Sequence, residues 1–112
     1  MVAMGLLTFV YFAGALRSDL PGDEDWRAIE QQLLANPRAG ITIAGTGGAR
    51  KLRIRLASRG KRGGARTIYV YIVARERIYF LLTYAKNEQA DLSTADKQVI
   101  RQLIARLQAD QE

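Results

Sequence analysis

The sequence predicts a single α+β domain over residues 1–112, with an antiparallel sheet core and helices packed on one side. Three observations predict it. From Arg50 to Ala57, apolar and cationic residues alternate at the period of a strand. Two runs rich in Tyr, Ile, Val and Phe, Arg66–Val73 and Arg77–Tyr84, are separated only by Ala74-Arg75-Glu76, the spacing of a hairpin. Two other segments carry apolar residues at helical spacing, one before the strands and one after them. No internal repeat or linker divides the chain, and strand, helix, three antiparallel strands and helix make an α+β order.

Met1 to Leu16 contains no charge and ends in Ala13-Gly14-Ala15, which has the outline of a secretory signal. It lacks a basic leading segment and is too short for a membrane span. Thr8-Phe9-Val10-Tyr11-Phe12 has the β-branched and aromatic mixture of a buried strand, so a strand and a cytoplasmic location are expected. Asp23-Glu24-Asp25 puts acids where a helix dipole favours them, and Trp26, Ile29, Leu33 and Leu34 then share a helical face. Asn36-Pro37 stops that helix. Seven of the ten glycines lie between Gly40 and Gly64, forming two loops, Gly45–Gly48 and Gly60–Gly64, around the alternating strand. In that strand Leu52, Ile54 and Leu56 point one way and Lys51, Arg53 and Arg55 the other. Tyr69 and Tyr71 share a face of the next strand, as do Tyr79 and Leu81 of the last. Ser93-Thr94-Ala95-Asp96 is a capping box, and Val99, Ile100, Leu103, Ile104 and Leu107 form the apolar face of the helix it opens.

Charge and composition restrict the chemistry. The chain has 17 Lys plus Arg against 11 Asp plus Glu, a net charge of +6, with no His and no Cys. A disulfide framework, a thiolate nucleophile, a Cys/His zinc site and a Ser-His-Asp triad are therefore excluded. Catalysis would fall to Lys, Arg, Tyr or carboxylates. The positive charge is local, since Ala49–Arg66 holds eight of the 17 bases and no acid, leaving the remainder at −2. A solvated surface mixes both signs, so an unbroken basic block points to a polyanionic partner. Lys51, Arg53 and Arg55 recur every two residues, about 6.6 Å, comparable to successive phosphates of an extended single strand.

Gly45-Thr46-Gly47-Gly48-Ala49-Arg50-Lys51 has neither the spacing of a phosphate-binding loop nor a following helix, and its glycines read as a tight lead into the basic strand. Arg62-Gly63-Gly64 is a lone tripeptide with no weight of its own. Glu88 and Asp91 are isolated acids, so no carboxylate metal site is expected and no cofactor is implied. What remains is a Lys and an Arg on one strand, a glycine-flanked Arg opening the next, and a Tyr and a Lys closing the third. Cleavage of RNA by its own 2′-hydroxyl needs a base, cations on the phosphorane and a proton for the 5′-oxygen, with metal optional. A lysine among arginines is a base candidate because like charge favours its neutral form. Arginine, permanently charged and bidentate, suits phosphate.

Gly45-Thr46-Gly47-Gly48-Ala49-Arg50-Lys51-Leu52-Arg53, Gly60-Lys61-Arg62-Gly63-Gly64-Ala65-Arg66 and Tyr84-Ala85-Lys86-Asn87-Glu88 with Asp91-Leu92-Ser93 resemble, in order and spacing, the HigB branch of the RelE/ParE toxin superfamily. The resemblance implies a small RelE-like domain. It also implies a toxin of a type II toxin-antitoxin pair that binds the ribosomal A site and cuts messenger RNA during translation. The implied partner is a HigA-like antitoxin with a helix-turn-helix domain. The family's basic pair matches Lys51 and Arg53, its arginine opening the next strand matches Arg66, and Tyr84 and Lys86 match the branch's Tyr-x-Lys. Lys51, Arg66, Tyr84 and Lys86 are thus the expected catalytic residues, with Lys51 as base, and Arg50, Arg53, Arg55, Lys61 and Arg62 the expected substrate contacts. Two positions depart from the pattern: the C-terminal tyrosine of RelE aligns near Ser93, and Ala49 replaces a larger apolar residue. Two other functions fit the same sequence, a non-nuclease inhibitor of DNA gyrase like the ParE members and a catalytically inactive basic nucleic-acid-binding module.

Overall fold

A computed structural model of the chain describes residues 7–16, 20–55, 64–89 and 91–109. Its elements are β1 (Thr8–Tyr11), α1 (Asp23–Ala35), β2 (Ile41–Thr42), β3 (Arg50–Ile54), β4 (Ala65–Ile72), β5 (Arg77–Ala85) and α2 (Thr94–Ala109), with one 3-10 turn, Val73–Arg75, between β4 and β5. The five strands form one sheet in the order β1-β5-β4-β3-β2. Every neighbouring pair is antiparallel except β1 with β5. The α+β class is therefore the expected one.

Each boundary has a local cause. Asp25 is buried, and its carboxylate accepts the Gly22 N–H at 3.1 Å, closing the first turn of α1. Asn36-Pro37 ends that helix, and the Tyr69 hydroxyl donates to the Pro37 carbonyl at 2.8 Å while accepting the Gly40 N–H at 2.9 Å, which ties the helix exit to the sheet. In the loop before β3, Gly45, Gly47 and Gly48 all have positive φ, a conformation open to glycine at little cost. Thr46 braces that loop, donating to Ile43 O at 2.7 Å and accepting Ala49 N–H at 3.0 Å. At the other end, Ser93 Oγ accepts the Asp96 N–H at 3.0 Å and the Asp96 carboxylate accepts the Ser93 N–H at 3.3 Å, so the expected capping box opens α2.

The placement of the helices differs from expectation. Trp26, Ile29 and Leu33 of α1 pack with Leu52, Ile54, Tyr69, Ile78 and Phe80, whereas Ile100 and Ile104 of α2 pack with Ile68, Val70, Ile72, Tyr79 and Leu81. Those strand residues alternate along β4 and β5, so the two helices cover opposite faces rather than one side. The continuous apolar runs Ile68–Ile72 and Ile78–Leu82 follow from this, because a strand buried on both faces has no solvent side. Two residues expected on apolar helix faces are not covered: Leu34 is 43% and Val99 64% exposed. Strand β3 closes at Ile54, three residues earlier than the alternation suggested, and Leu56 and Ala57 lie outside the described residues.

One irregularity matters for everything downstream. Ile68 pairs with Leu82, but Tyr69 pairs with Phe80, which leaves Leu81 as an extra residue in β5. This is a β-bulge, and it reverses the facing of the strand beyond it. Before the bulge the even-numbered Ile78 and Phe80 face α1; after it, the even-numbered Tyr84 faces α2. The turn after β1 supports the bulge, with Gly14 O accepting the Thr83 N–H at 3.1 Å. A Cβ on Gly14 would stand 2.7 Å from the Leu81 carbonyl oxygen, so only glycine lets the turn approach this closely.

Candidate active site

In the sheet register, Arg53 pairs with Arg66 and Arg66 with Tyr84, while Lys51 pairs with Ile68 one step away. Directly paired residues share a face, so Lys51, Arg53, Arg66 and Tyr84 stand together on the α2 side, across β3, β4 and the end of β5. The strand alternation supplies Lys51 and Arg53, the opening of β4 supplies Arg66, and the bulge turns Tyr84 toward them.

Tyr84 forms the floor of the group. It is 2% exposed, and its hydroxyl is buried with no hydrogen-bond partner among the described residues. Burial pushes the phenol above its ordinary value; Lys51 opposes the shift, Asp91 adds to it and Arg66 opposes it. The group is thus a phenol at neutral pH, with a proton to donate. A buried hydroxyl without a partner costs about 1–3 kcal/mol.

Lys51 Nζ donates to Asp91 Oδ1 at 2.9 Å. That hydrogen bond and the lysine's charge hold the Asp91 carboxyl below the usual carboxylate range, with burial opposing and Lys97 assisting. Asp91 is therefore not the isolated acid that the sequence suggested. It sits beside Leu92, which is buried in the α2-side core, and next to the Ser93 cap, while the Gln89 side chain donates to the Asp91 carbonyl at 3.0 Å. The sequence carried one sign of it, the Asp91-Leu92-Ser93 string immediately before the helix cap.

The remaining expected residues divide. Arg53 and Arg55 are exposed, the first on the site face and the second just past β3. Lys86 is exposed in the turn that follows β5, its N–H bonded to Gly64 O at 3.2 Å. Arg50 is not brought to the group. It pairs with Tyr69 on the α1 side, and its guanidinium donates to Gly40 O at 2.8 Å and Arg38 O at 3.2 Å. Lys61 and Arg62 lie outside the described residues. Among the described residues no three of His, Cys, Asp or Glu gather to hold a metal ion, and no helix is long and apolar enough to cross a membrane.

Three cations and a protonated phenol on one sheet face suit an anion that is both bound and protonated, as a phosphodiester is during cleavage. Residues 29–112 match the family model described as the RelE toxin of the RelE/RelB toxin-antitoxin system. The chain belongs to the RelE toxin family. Among solved structures, this RelE-family protein is similar to a double arginine-to-alanine variant of the E. coli toxin RelE in the free state. The two are 16% identical with a TM-score of 0.53, over 74% of this chain and 86% of that one. At that identity the likeness establishes a shared fold.

Proposed function

We propose that this RelE-family toxin is a ribosome-dependent endoribonuclease that cuts messenger RNA during translation and thereby arrests growth. The observation that carries the reading is the Tyr84 hydroxyl, buried, protonated and without a partner among the described residues, on the same face as Lys51, Arg53 and Arg66. In the proposed reaction the 2′-oxygen attacks phosphorus and the bond to the 5′-oxygen breaks. Arg66 and Arg53 neutralise the phosphorane, and Tyr84 gives its proton to the leaving 5′-oxygen. Lys51, a donor to a carboxylate in the substrate-free chain, is assigned to the phosphate instead of to the base role first expected of it. The proton of the 2′-hydroxyl passes to solvent within the ribosome-bound complex. Lys86, in the turn beside Tyr84, contributes a further cation for the RNA backbone.

The motif resemblance supports the HigB branch and, with it, a HigA-like helix-turn-helix antitoxin as partner and the cytoplasm as location. The test is expression of the chain alone beside Arg66→Ala, Tyr84→Phe and Lys86→Ala. Each variant is expected to relieve growth arrest, and cleavage in a purified translation mixture should fall by about 10²-fold or more for Arg66→Ala and Tyr84→Phe. Folded variants that stay fully toxic would overturn the site. Arrest with intact message and inhibited gyrase supercoiling would favour the non-nuclease alternative.

A further inference from the structure

We propose that Asp91 is a built-in competitor of the phosphate site, occupying Lys51 until a phosphate displaces it. The inference rests on the reading of Lys51, Arg66 and Tyr84 as a phosphate-binding group. Its first support is geometric: the carboxylate lies 2.9 Å from Lys51 Nζ, where a phosphate oxygen would bind. Its second is that the backbone carrying Asp91 is held, since Leu92 is anchored in the core, Ser93 caps α2 and the Gln89 side chain donates to the Asp91 carbonyl. The third is independent, for the adjoining Tyr84 hydroxyl is buried and lacks a partner among the described residues while Asp91 holds Lys51. A bound phosphate would both replace the carboxylate on Lys51 and give that hydroxyl an acceptor.

Magnitudes make the exchange reversible. The Asp91 side chain is 73% exposed and that of Lys51 28%, and ion pairs this open are weak. A phosphate can therefore break the pair. The pair must nevertheless be broken first, which lowers the affinity of every ligand that uses Lys51 by the same severalfold factor. RNA overcomes that competitor because its neighbouring phosphates also meet Arg53 and Arg66.

The test is a double-mutant cycle on the full-length protein, with inorganic phosphate and a 2′-deoxy hexanucleotide as uncleavable probes and the Tyr84 ring-proton shifts as readout. Asp91→Asn should tighten binding of phosphate and of the hexanucleotide by a common factor of about two- to fivefold, whereas Asp91→Glu, which keeps the competitor, should bind as the wild type does. In a Lys51→Ala background the gain from Asp91→Asn should disappear. An unchanged or weaker affinity for Asp91→Asn, a gain for Asp91→Glu, or an equal gain without Lys51 would overturn the exchange. The cycle needs neither ribosome nor cleavage. Its failure beside intact translation-coupled cleavage would remove this inference alone, and its success beside absent cleavage would remove only the nuclease reading.

Discussion

Tyr84 shows most clearly how a single side chain joins structure to chemistry. Its hydroxyl is buried without a partner among the described residues, which costs stability, yet burial also keeps its proton in place. Tyr84→Phe is therefore expected to leave the melting temperature unchanged or raise stability by about 1 kcal/mol, while cleavage falls sharply. Parallel denaturation and cleavage assays check the opposed signs; a loss of both stability and activity would make Tyr84 a packing residue only. Arg53 acts differently, as an exposed cation. Arg53→Ala should weaken RNA binding evenly across sequences and reduce the slope of log affinity against log salt by about 0.7, the single-strand value per charge. Lys51 and Arg53 could be read from their alternation with Leu52 and Ile54. The partner of Lys51 could not, because Asp91 lies 40 residues away and only the tertiary fold brings it close.

At the scale of elements, the bulge in β5 decides which residues meet. Without it, Tyr84 would continue the facing of Ile78 and Phe80 and lie among the α1-side core, away from Arg66. Nothing in Tyr79–Tyr84 marks the extra residue, since the run has no Gly or Pro and every position fits a strand. Gly14 is the observable handle on it. Gly14→Ala puts a Cβ against the Leu81 carbonyl, and the expected cost is about 1–3 kcal/mol with reduced cleavage, measured by urea unfolding and the translation assay. The α2 cap offers a contrasting change, because Ser93→Ala should cost about 1 kcal/mol through the lost Asp96 N–H acceptor. The opposite placement of the two helices was partly legible. Continuous apolar runs in β4 and β5 signal burial on both faces, a cue stronger than the amphipathic faces of the helices themselves.

Across the whole molecule, the net charge of +6 resolves into a basic strip on a slightly acidic scaffold. The sheet concentrates part of that strip on one face and diverts Arg50 to the other, a separation that follows from strand parity and the carbonyls of Arg38 and Gly40. The absence of histidine has a consequence for pH. Burial raises the phenols of Tyr11, Tyr69 and Tyr84, so between the ordinary value near 10 and each folded value the native state holds more protons than the unfolded chain. The stability that depends on their staying protonated is fully present below pH 10 and is lost as pH rises through the folded values, because unfolding then releases protons. Urea midpoints taken from pH 8 to 11 should be level at first and fall above about pH 10, less steeply for Tyr69→Phe. The central claim is tested most directly by mapping the ends of a message in a purified translation system with and without the chain. The account predicts new ends inside A-site codons only when ribosomes are present, and their loss with Arg66→Ala. Intact message in the presence of an active, growth-arresting chain would contradict it.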